Sequence, residues 1–262
     1  VVQMPGPSLP TVLAAVFTAL LFFSLTLKFV IPAAIFAVLA VGCIVKWMWE
    51  MDPGPAKGLI DIGGGLKLPS YAAGPNSHSW WAMIVLILVA SSLYVSYFFS
   101  YVYTWTVSPE VWADGVSKLP PLGWPLISGG LLIASSALMV IARRSLAPPG
   151  GTRSPLLSIA LLAALVCLIG GLVGEISGHW QAGLRPSESS YGALTYLNAF
   201  LLGELVVALL AMALFALARQ LTGRLDAERC ATFVNTELLW HFAVVQGLFG
   251  LLLVHGFPRL VA

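Results

Sequence analysis

Charged residues are scarce in this sequence. They make up 9% of its 262 residues, 59% are hydrophobic, and the formal net charge is only +2. The basic residues are scattered rather than clustered, which argues against a nucleic-acid partner. Cysteine and histidine are also rare, with three and four copies. Because the cysteines form no CxxC pair and no group with histidine, the sequence predicts neither a disulfide framework nor a metal site.

Long apolar stretches are what the sequence has in abundance. A helix needs about 20 apolar residues to cross a bilayer core, and a helix satisfies its own backbone polar groups there. About seven such stretches follow one another, over residues 9–27, 31–49, 80–105, 124–142, 156–176, 193–221 and 235–257. The sequence therefore predicts an all-α membrane protein with about seven transmembrane helices.

The connections divide the predicted spans into two groups. Residues 1–50 form a two-helix hairpin, residues 51–79 form a polar connection, and residues 80–262 form a five-helix bundle. The proline and glycine content of the connection predicts irregular structure. Lysine and arginine concentrate on the side that holds the N-terminus and the connections after even-numbered spans. The positive-inside rule therefore puts the N-terminus inside and the C-terminus outside.

Aromatic residues occur at several ends of the predicted spans, where tryptophan and tyrosine usually sit at the headgroup level. We interpret them as membrane anchors: Trp47, Trp49, Trp80, Trp81, Trp105, Trp112, Trp124 and Trp180. Small residues are frequent in the third, fourth and fifth spans. They predict close helix contacts and hydroxyl bonds across helices.

Ionisable residues inside a bilayer are candidates for function because they are costly there. Glu204 lies at depth in the sixth span, and Glu237 and His241 lie one turn apart in the seventh. Glu175 and His179 end the fifth span, and His255 closes the seventh. We interpret the histidines as dispersed, which argues against haem and metal ligation. A transport role for Glu204 stays open beside that of a neutral hydrogen-bonded acid.

Short motifs occur along nearly the whole chain. They include a Ser-His-Ser-Trp-Trp-Ala run over 77–82, an aromatic run over 94–105, a Tyr-Gly pair that opens the sixth helix, and Trp-His-Phe in the last helix. In their order and spacing they resemble subunit III of haem–copper cytochrome c oxidases, and residues 61–69 resemble the linker of versions fused to subunit I. The residues that carry or surround these motifs are Trp80, Trp81, Tyr191, Gly192, Gly203, Glu237, Trp240, His241 and Phe242.

The chain also departs from the family pattern. The third helix reads Val89-Ala90-Ser91-Ser92-Leu93, where many members have a glutamate. The two histidines at the start of the family's sixth helix are missing, and so is the aspartate after Trp-His-Phe. Roles that depend on those side chains are therefore not transferred to this chain.

The resemblance implies a non-redox accessory subunit of a respiratory complex in a membrane, expected to be the bacterial inner membrane. Such a subunit packs on oxidase subunit I beside subunit II, holds phospholipid between its hairpin and its bundle, and supports proton uptake and sustained turnover. Catalytic, cofactor and metal sites are expected to be absent from this chain, with haem and copper in the partner subunits. Two alternatives stay open: an accessory subunit of a nitric oxide reductase and a small secondary transporter. Whether the chain is part of a fused subunit I/III also stays open.

Overall fold

A computed structural model describes residues 8–51, 59–69, 77–148 and 153–261. Within these ranges, seven helices are long and apolar enough to cross a membrane. They are α1 (Leu9–Thr26), α2 (Val30–Met51), α3 (His78–Val107), α5 (Gly123–Arg144), α6 (Pro155–Gln181), α7 (Ser190–Leu221) and α8 (Ala231–Leu251). Shorter elements are β1 (Leu59–Asp61), β2 (Lys67–Pro69), α4 (Pro109–Val116) and α9 (Phe257–Val261). The predicted seven-span helical class is confirmed, whereas the orientation in the membrane stays a prediction.

Five of the seven helices, α2, α3, α5, α6 and α7, are longer than the apolar stretches that predicted them. The largest difference is in α6, which continues past Ile176 to Gln181. Its end is set by backbone geometry rather than by polarity: Gly183 has a φ of 82°, and the N–H of Leu184 bonds to the carbonyl of His179. This is a Schellman motif, in which glycine adopts the left-handed conformation at low cost. The extra turn brings His179 into the helix.

The residues up to Pro69 and those from Ser77 onward form two compact units. In the first, α1 and α2 form an antiparallel hairpin with Phe17 stacked on Phe36 at a centroid distance of 6.3 Å. The connection after α2 is less irregular than predicted. There β1 pairs antiparallel with β2 around three glycines with positive φ, Gly63 to Gly65.

The second unit is built on close contact between α5 and α6. Lipid is as apolar as leucine, so helices in a bilayer associate through close packing and hydrogen bonds rather than through the hydrophobic effect. A methyl group at Gly171 would lie 3.1 Å from Leu132, and one at Gly178 would lie 2.8 Å from Trp124. The glycines of α6 therefore let α5 approach closely.

The hydroxyl groups divide between two roles. In α5, Ser135 accepts a hydrogen bond from Trp240 Nε1 of α8 at 3.1 Å. The prediction of bonds across helices is wrong for α3, where the serine hydroxyls donate to carbonyls of their own helix, as Ser96 does to Ser92 at 3.0 Å. Serine can satisfy its hydroxyl on the carbonyl three or four residues earlier, so an exposed serine needs no neighbour.

An aromatic core lies where α3, α4 and α7 meet. Trp112 is 4% exposed and makes edge-to-face contacts with Tyr101 at 4.5 Å and Tyr191 at 4.9 Å. The interpretation of Trp112 as a membrane anchor is therefore wrong, because α4 folds it into the protein. Trp81 and Trp180, by contrast, are more than half exposed.

Two glycines of α7 provide a matched test of packing. A methyl group at Gly192 would overlap the carbonyl oxygen of Arg185, whereas one at Gly203 would lie 3.7 Å from Leu172 in ordinary contact. We expect Gly192→Ala to destabilise the protein by about 1–3 kcal/mol through overpacking. Gly203→Ala should be neutral or stabilising, because alanine favours the helix. Thermal unfolding in detergent measures both, and equal midpoints for the two variants would contradict the packing argument.

Candidate functional site

Three buried side chains form a polar cluster near the ends of α6 and α8. His179 Nε2 lies 3.0 Å from Glu175 Oε1, and His255 Nε2 lies 2.9 Å and 3.1 Å from the two oxygens of the same carboxylate. The imidazole rings are nearly parallel, with centroids 4.8 Å apart. Glu175, His179 and His255 are 5%, 1% and 3% exposed. We call this group the Glu175 cluster.

The position of His255 depends on a π turn (Leu252–Gly256) that follows α8. The N–H of Phe257 bonds to the carbonyl of Leu252 instead of that of Leu253. Three residues after His255 comes Pro258, which has no N–H to offer the carbonyl of Val254 and whose ring crowds that carbonyl. The π turn relieves this conflict, and His255 lies within it. Such turns are rare and frequently mark functional sites.

Two tyrosines satisfy the carbonyls that the π turn leaves free. Tyr101 of α3 donates to the carbonyl of Leu253 at 2.9 Å, and Tyr191 of α7 donates to that of Val254 at 2.5 Å. Both tyrosines are fully buried. The Tyr-Gly pair at the start of α7 therefore has a structural reason. Tyr191 holds the π turn, and Gly192 leaves room for the carbonyl of Arg185.

The interpretation of the histidines as dispersed is wrong for His179 and His255. The sequence contained one usable signal: the fifth and seventh spans run in the same direction, so their final turns reach the same side of the membrane. The i, i+4 spacing of Glu175 and His179 was also visible. The apolar pattern of the seventh span does not encode the π turn that contains His255, so the pattern alone does not bring the two histidines together.

The Glu175 cluster does not have the geometry of a bis-histidine haem site. The two axial imidazoles of such a haem lie on opposite faces of the porphyrin. Here the rings of His179 and His255 lie side by side, and both Nε2 atoms contact one carboxylate. The ligand atoms of the three residues lie within 4.8 Å of one another, a spacing that suits a single ion.

A second polar group links α5 to α8 near the start of α8. Glu237 forms an ion pair with Arg143, and His241 Nδ1 lies 2.6 Å from Ser136 Oγ. The distance between His241 Nε2 and Glu237 Oε1 is 3.8 Å, so their nearest partners are on α5 rather than on each other. Together with the bond from Trp240 to Ser135, these contacts join two turns of α5, one at Ser135 and Ser136 and one at Arg143, to a single stretch of α8.

The remaining motif residues are spread over the second unit. Trp80 and Trp81 open α3 with their rings 5.1 Å apart, and Ser77 caps this helix by accepting from the N–H of Trp80. Phe242 packs against the core of α5 to α8. Gly203 lies half-buried in the middle of α7.

Glu204 is exposed, so the hypothesis of a hydrogen-bonded acid buried between helices is wrong, whereas a transport role stays untested. It lies near the middle of α7, on a face that includes Phe200 (64% exposed) and Val207 (67% exposed). The helical period places residues 200, 204 and 207 side by side. The carboxyl group therefore projects away from the bundle.

These spans and contacts define a polytopic helical membrane protein whose helices are held by small residues and buried hydrogen bonds. The family model of cytochrome c oxidase subunit III matches residues 76–257, most of the chain, and the chain belongs to this family. The predicted resemblance is confirmed. Comparison with curated proteins finds no match. Membership of the family makes the chain an integral membrane component of a cytochrome c oxidase complex, with an accessory role. Members of this family generally contain no cofactors.

The bond from Tyr191 to the π turn can be tested by removing one hydroxyl. We expect Tyr191→Phe to lower the free energy of unfolding by about 1 kcal/mol, because the carbonyl of Val254 would be left buried without a donor. Tyr103→Phe on α3 is the control, since Tyr103 is 55% exposed. Thermal unfolding of the purified chain measures the difference. An unchanged midpoint in Tyr191→Phe would show that the bond does not hold the turn.

Proposed function

We propose that this chain packs against the haem- and copper-bearing subunit I of a bacterial plasma-membrane oxidase, with subunit II in the same complex. In this role it shields the neighbouring reaction centre, holds phospholipid, and supports proton uptake and sustained turnover. The family supports the membership in the complex. The main observation in favour of packing against another subunit is that the carboxyl group of Glu204 is exposed.

An ionisable group at the centre of a spanning helix is costly when it faces lipid, about 2.5–3.5 kcal/mol on insertion scales. Glu204 is fourteen residues from the start of a 32-residue helix, so it cannot reach the headgroups from there. A polar group on another chain would offset this cost. We therefore assign the face of α7 that contains Phe200, Glu204 and Val207 to the contact with a partner subunit.

The hairpin supports the lipid part of the proposal. Only 17% of the apolar window of α1 and 11% of that of α2 is buried. The exposed side chains are large and apolar, such as Phe22 at 64%, Ile31 at 76% and Val38 at 72%. Two helices that leave most of their surface uncovered need an apolar environment of acyl chains or of another subunit.

The placement of the polar groups favours a proton pathway that lies in the neighbouring subunit rather than in this chain. The Glu237–His241 pair lies in the first half and middle of α8, whereas His255 lies in the π turn beyond its end, about 20 Å further along the helix axis. Between these two histidines the chain contains no ionisable residue. Gln246 lies in this interval and donates to the carbonyl of Leu201. Proton uptake supported by this chain therefore takes place along the neighbouring subunit.

Purification of the native complex tests this assignment directly. The tagged chain is isolated from its own membranes in mild detergent. We expect it to be accompanied by haem-bearing chains with visible absorbance, copper and oxygen-consuming activity. Nitric oxide consumption without oxygen consumption would instead support a nitric oxide reductase. A chain that is isolated alone and moves a solute into liposomes would be a transporter.

Substitution of Glu204 tests the partner contact. We expect Glu204→Leu to reduce the amount of this chain that remains with the haem-bearing subunits severalfold, because a polar partner group would lose its acceptor. Glu204→Gln keeps a hydrogen-bonding group and should retain more of the chain. Val166→Leu on α6 is the apolar control, since Val166 is 71% exposed. Full retention of the Glu204→Leu chain would place that face against lipid.

The contact between α5 and α8 should affect assembly but not the redox centres. We expect His241→Ala to lower the thermal stability of the complex by about 1 kcal/mol, because Ser136 loses its partner. The haem absorption spectrum should stay unchanged. A shifted haem spectrum in this variant would contradict a purely structural role.

A further inference from the structure

We propose that Glu175, His179 and His255 bind a divalent first-row transition-metal ion of the zinc type. The proposal goes beyond the accessory role derived from the family, whose members are generally without cofactors. It depends on the contacts within the bundle and not on the identity of the partner subunits.

The donor set is the first argument. Two imidazole nitrogens and one carboxylate oxygen are a common ligand set for zinc and leave further coordination positions open. Imidazole donors favour transition metals over magnesium and calcium, which prefer oxygen ligands. Each donor comes from a different turn: Glu175 and His179 from successive turns of α6, and His255 from the π turn.

The distances are the second argument. Metal–ligand bonds of about 2.0–2.2 Å place neighbouring ligand atoms of a tetrahedral or octahedral shell about 3 Å apart. The contacts from the two Nε2 atoms to the carboxylate oxygens of Glu175 are 2.9 Å, 3.0 Å and 3.1 Å. The donor atoms therefore already have the spacing of a coordination shell.

The unfilled hydrogen-bonding capacity of the cluster is the third argument. Nδ1 of His179 and Nδ1 of His255 are both buried and have no hydrogen-bond partner among the described residues. Because no partner fixes the tautomer at Nδ1, each ring can carry its proton there and leave Nε2 as the lone-pair donor that a metal ion requires. Within the described residues, the ion-pair partners of Glu175 are these two histidines, which carry charge only when protonated. A divalent cation would offset the charge of the buried carboxylate without that protonation.

The architecture around His255 holds it in place. The hydroxyls of Tyr101 and Tyr191 bind the carbonyls immediately before it. Arg259 donates to the carbonyl of His255 at 2.6 Å and to the carbonyl of Pro120 at 2.6 Å. These contacts fix the backbone of the π turn from three sides. A bound ion would then link the last turn of α6 to the C-terminal segment.

Zinc content provides the test, with Zn²⁺ as the probe. The full chain, alone in detergent and in its native complex, is stripped with chelator, incubated with Zn²⁺, freed of excess ion and analysed by mass spectrometry. We expect about one bound zinc per chain and at least a tenfold loss of affinity in Glu175→Gln and His255→Ala. His78→Ala is the matched control and should retain the ion, since His78 is exposed at the start of α3. Equal zinc in the wild type and the two cluster variants would overturn the proposal.

Zinc-edge X-ray absorption of the wild type keeps the proposal falsifiable if the variants do not fold. We expect imidazole scattering from two histidines with first-shell distances of about 2.0–2.1 Å. Haem iron and copper in the native complex do not contribute at this edge. A wild-type chain that binds no zinc, or binds it without imidazole scattering, would show a carboxylate–histidine cluster that holds protons only. Zinc binding is measured on the chain alone as well as in the complex. Its outcome therefore does not depend on whether the chain belongs to an oxidase.

Discussion

A backbone carbonyl buried in an apolar medium must find a donor, and the end of the bundle that holds the π turn depends on that requirement. Pro258 removes the N–H that would normally bind the carbonyl of Val254. The backbone forms a π turn there, and the hydroxyls of Tyr101 on α3 and Tyr191 on α7 donate hydrogen bonds to the carbonyls that the turn leaves free. Those tyrosines also organise the aromatic core around Trp112. One missing donor therefore determines how three helices meet.

The same requirement explains how the polar side chains are distributed. The ionisable side chains form two groups, with Glu237 and His241 in α8 and the Glu175 cluster beyond its end. Between them, α8 packs through small residues, as where Gly250 faces Asn198 and Gly247 faces Leu132, and Gln246 donates to the carbonyl of Leu201. Close packing and a neutral hydrogen bond therefore hold the stretch between the two ionisable groups.

Much of the fold could be predicted from the sequence, because a helix that crosses a bilayer needs about 20 apolar residues, and each such stretch can be recognised without the others. The order and spacing of short motifs along nearly the whole chain, including Trp-His-Phe and the Tyr-Gly pair, identified the family. The Glu175 cluster was harder to predict, because its residues are 80 positions apart and meet only after a π turn that apolar periodicity does not encode. Trp112 was misassigned for a related reason. A tryptophan at a span end and one folded inwards by a short helix give the same sequence pattern.

Glu204 shows a further limit of sequence reasoning. Its depth in the sixth span was evident from the sequence, but its direction was not, because α7 is apolar on most of its circumference. The structure shows that the carboxyl group points outwards. Because members of this family belong to a larger complex, an outward-facing carboxyl group can contact another subunit, which a chain alone would not offer.

The hairpin of α1 and α2 bears on how the chain is made. Its two helices are joined by a junction of three residues, Leu27 to Phe29, and contact each other along their length. Because their contacts are local in sequence, the two helices can pair in the bilayer as soon as both are inserted.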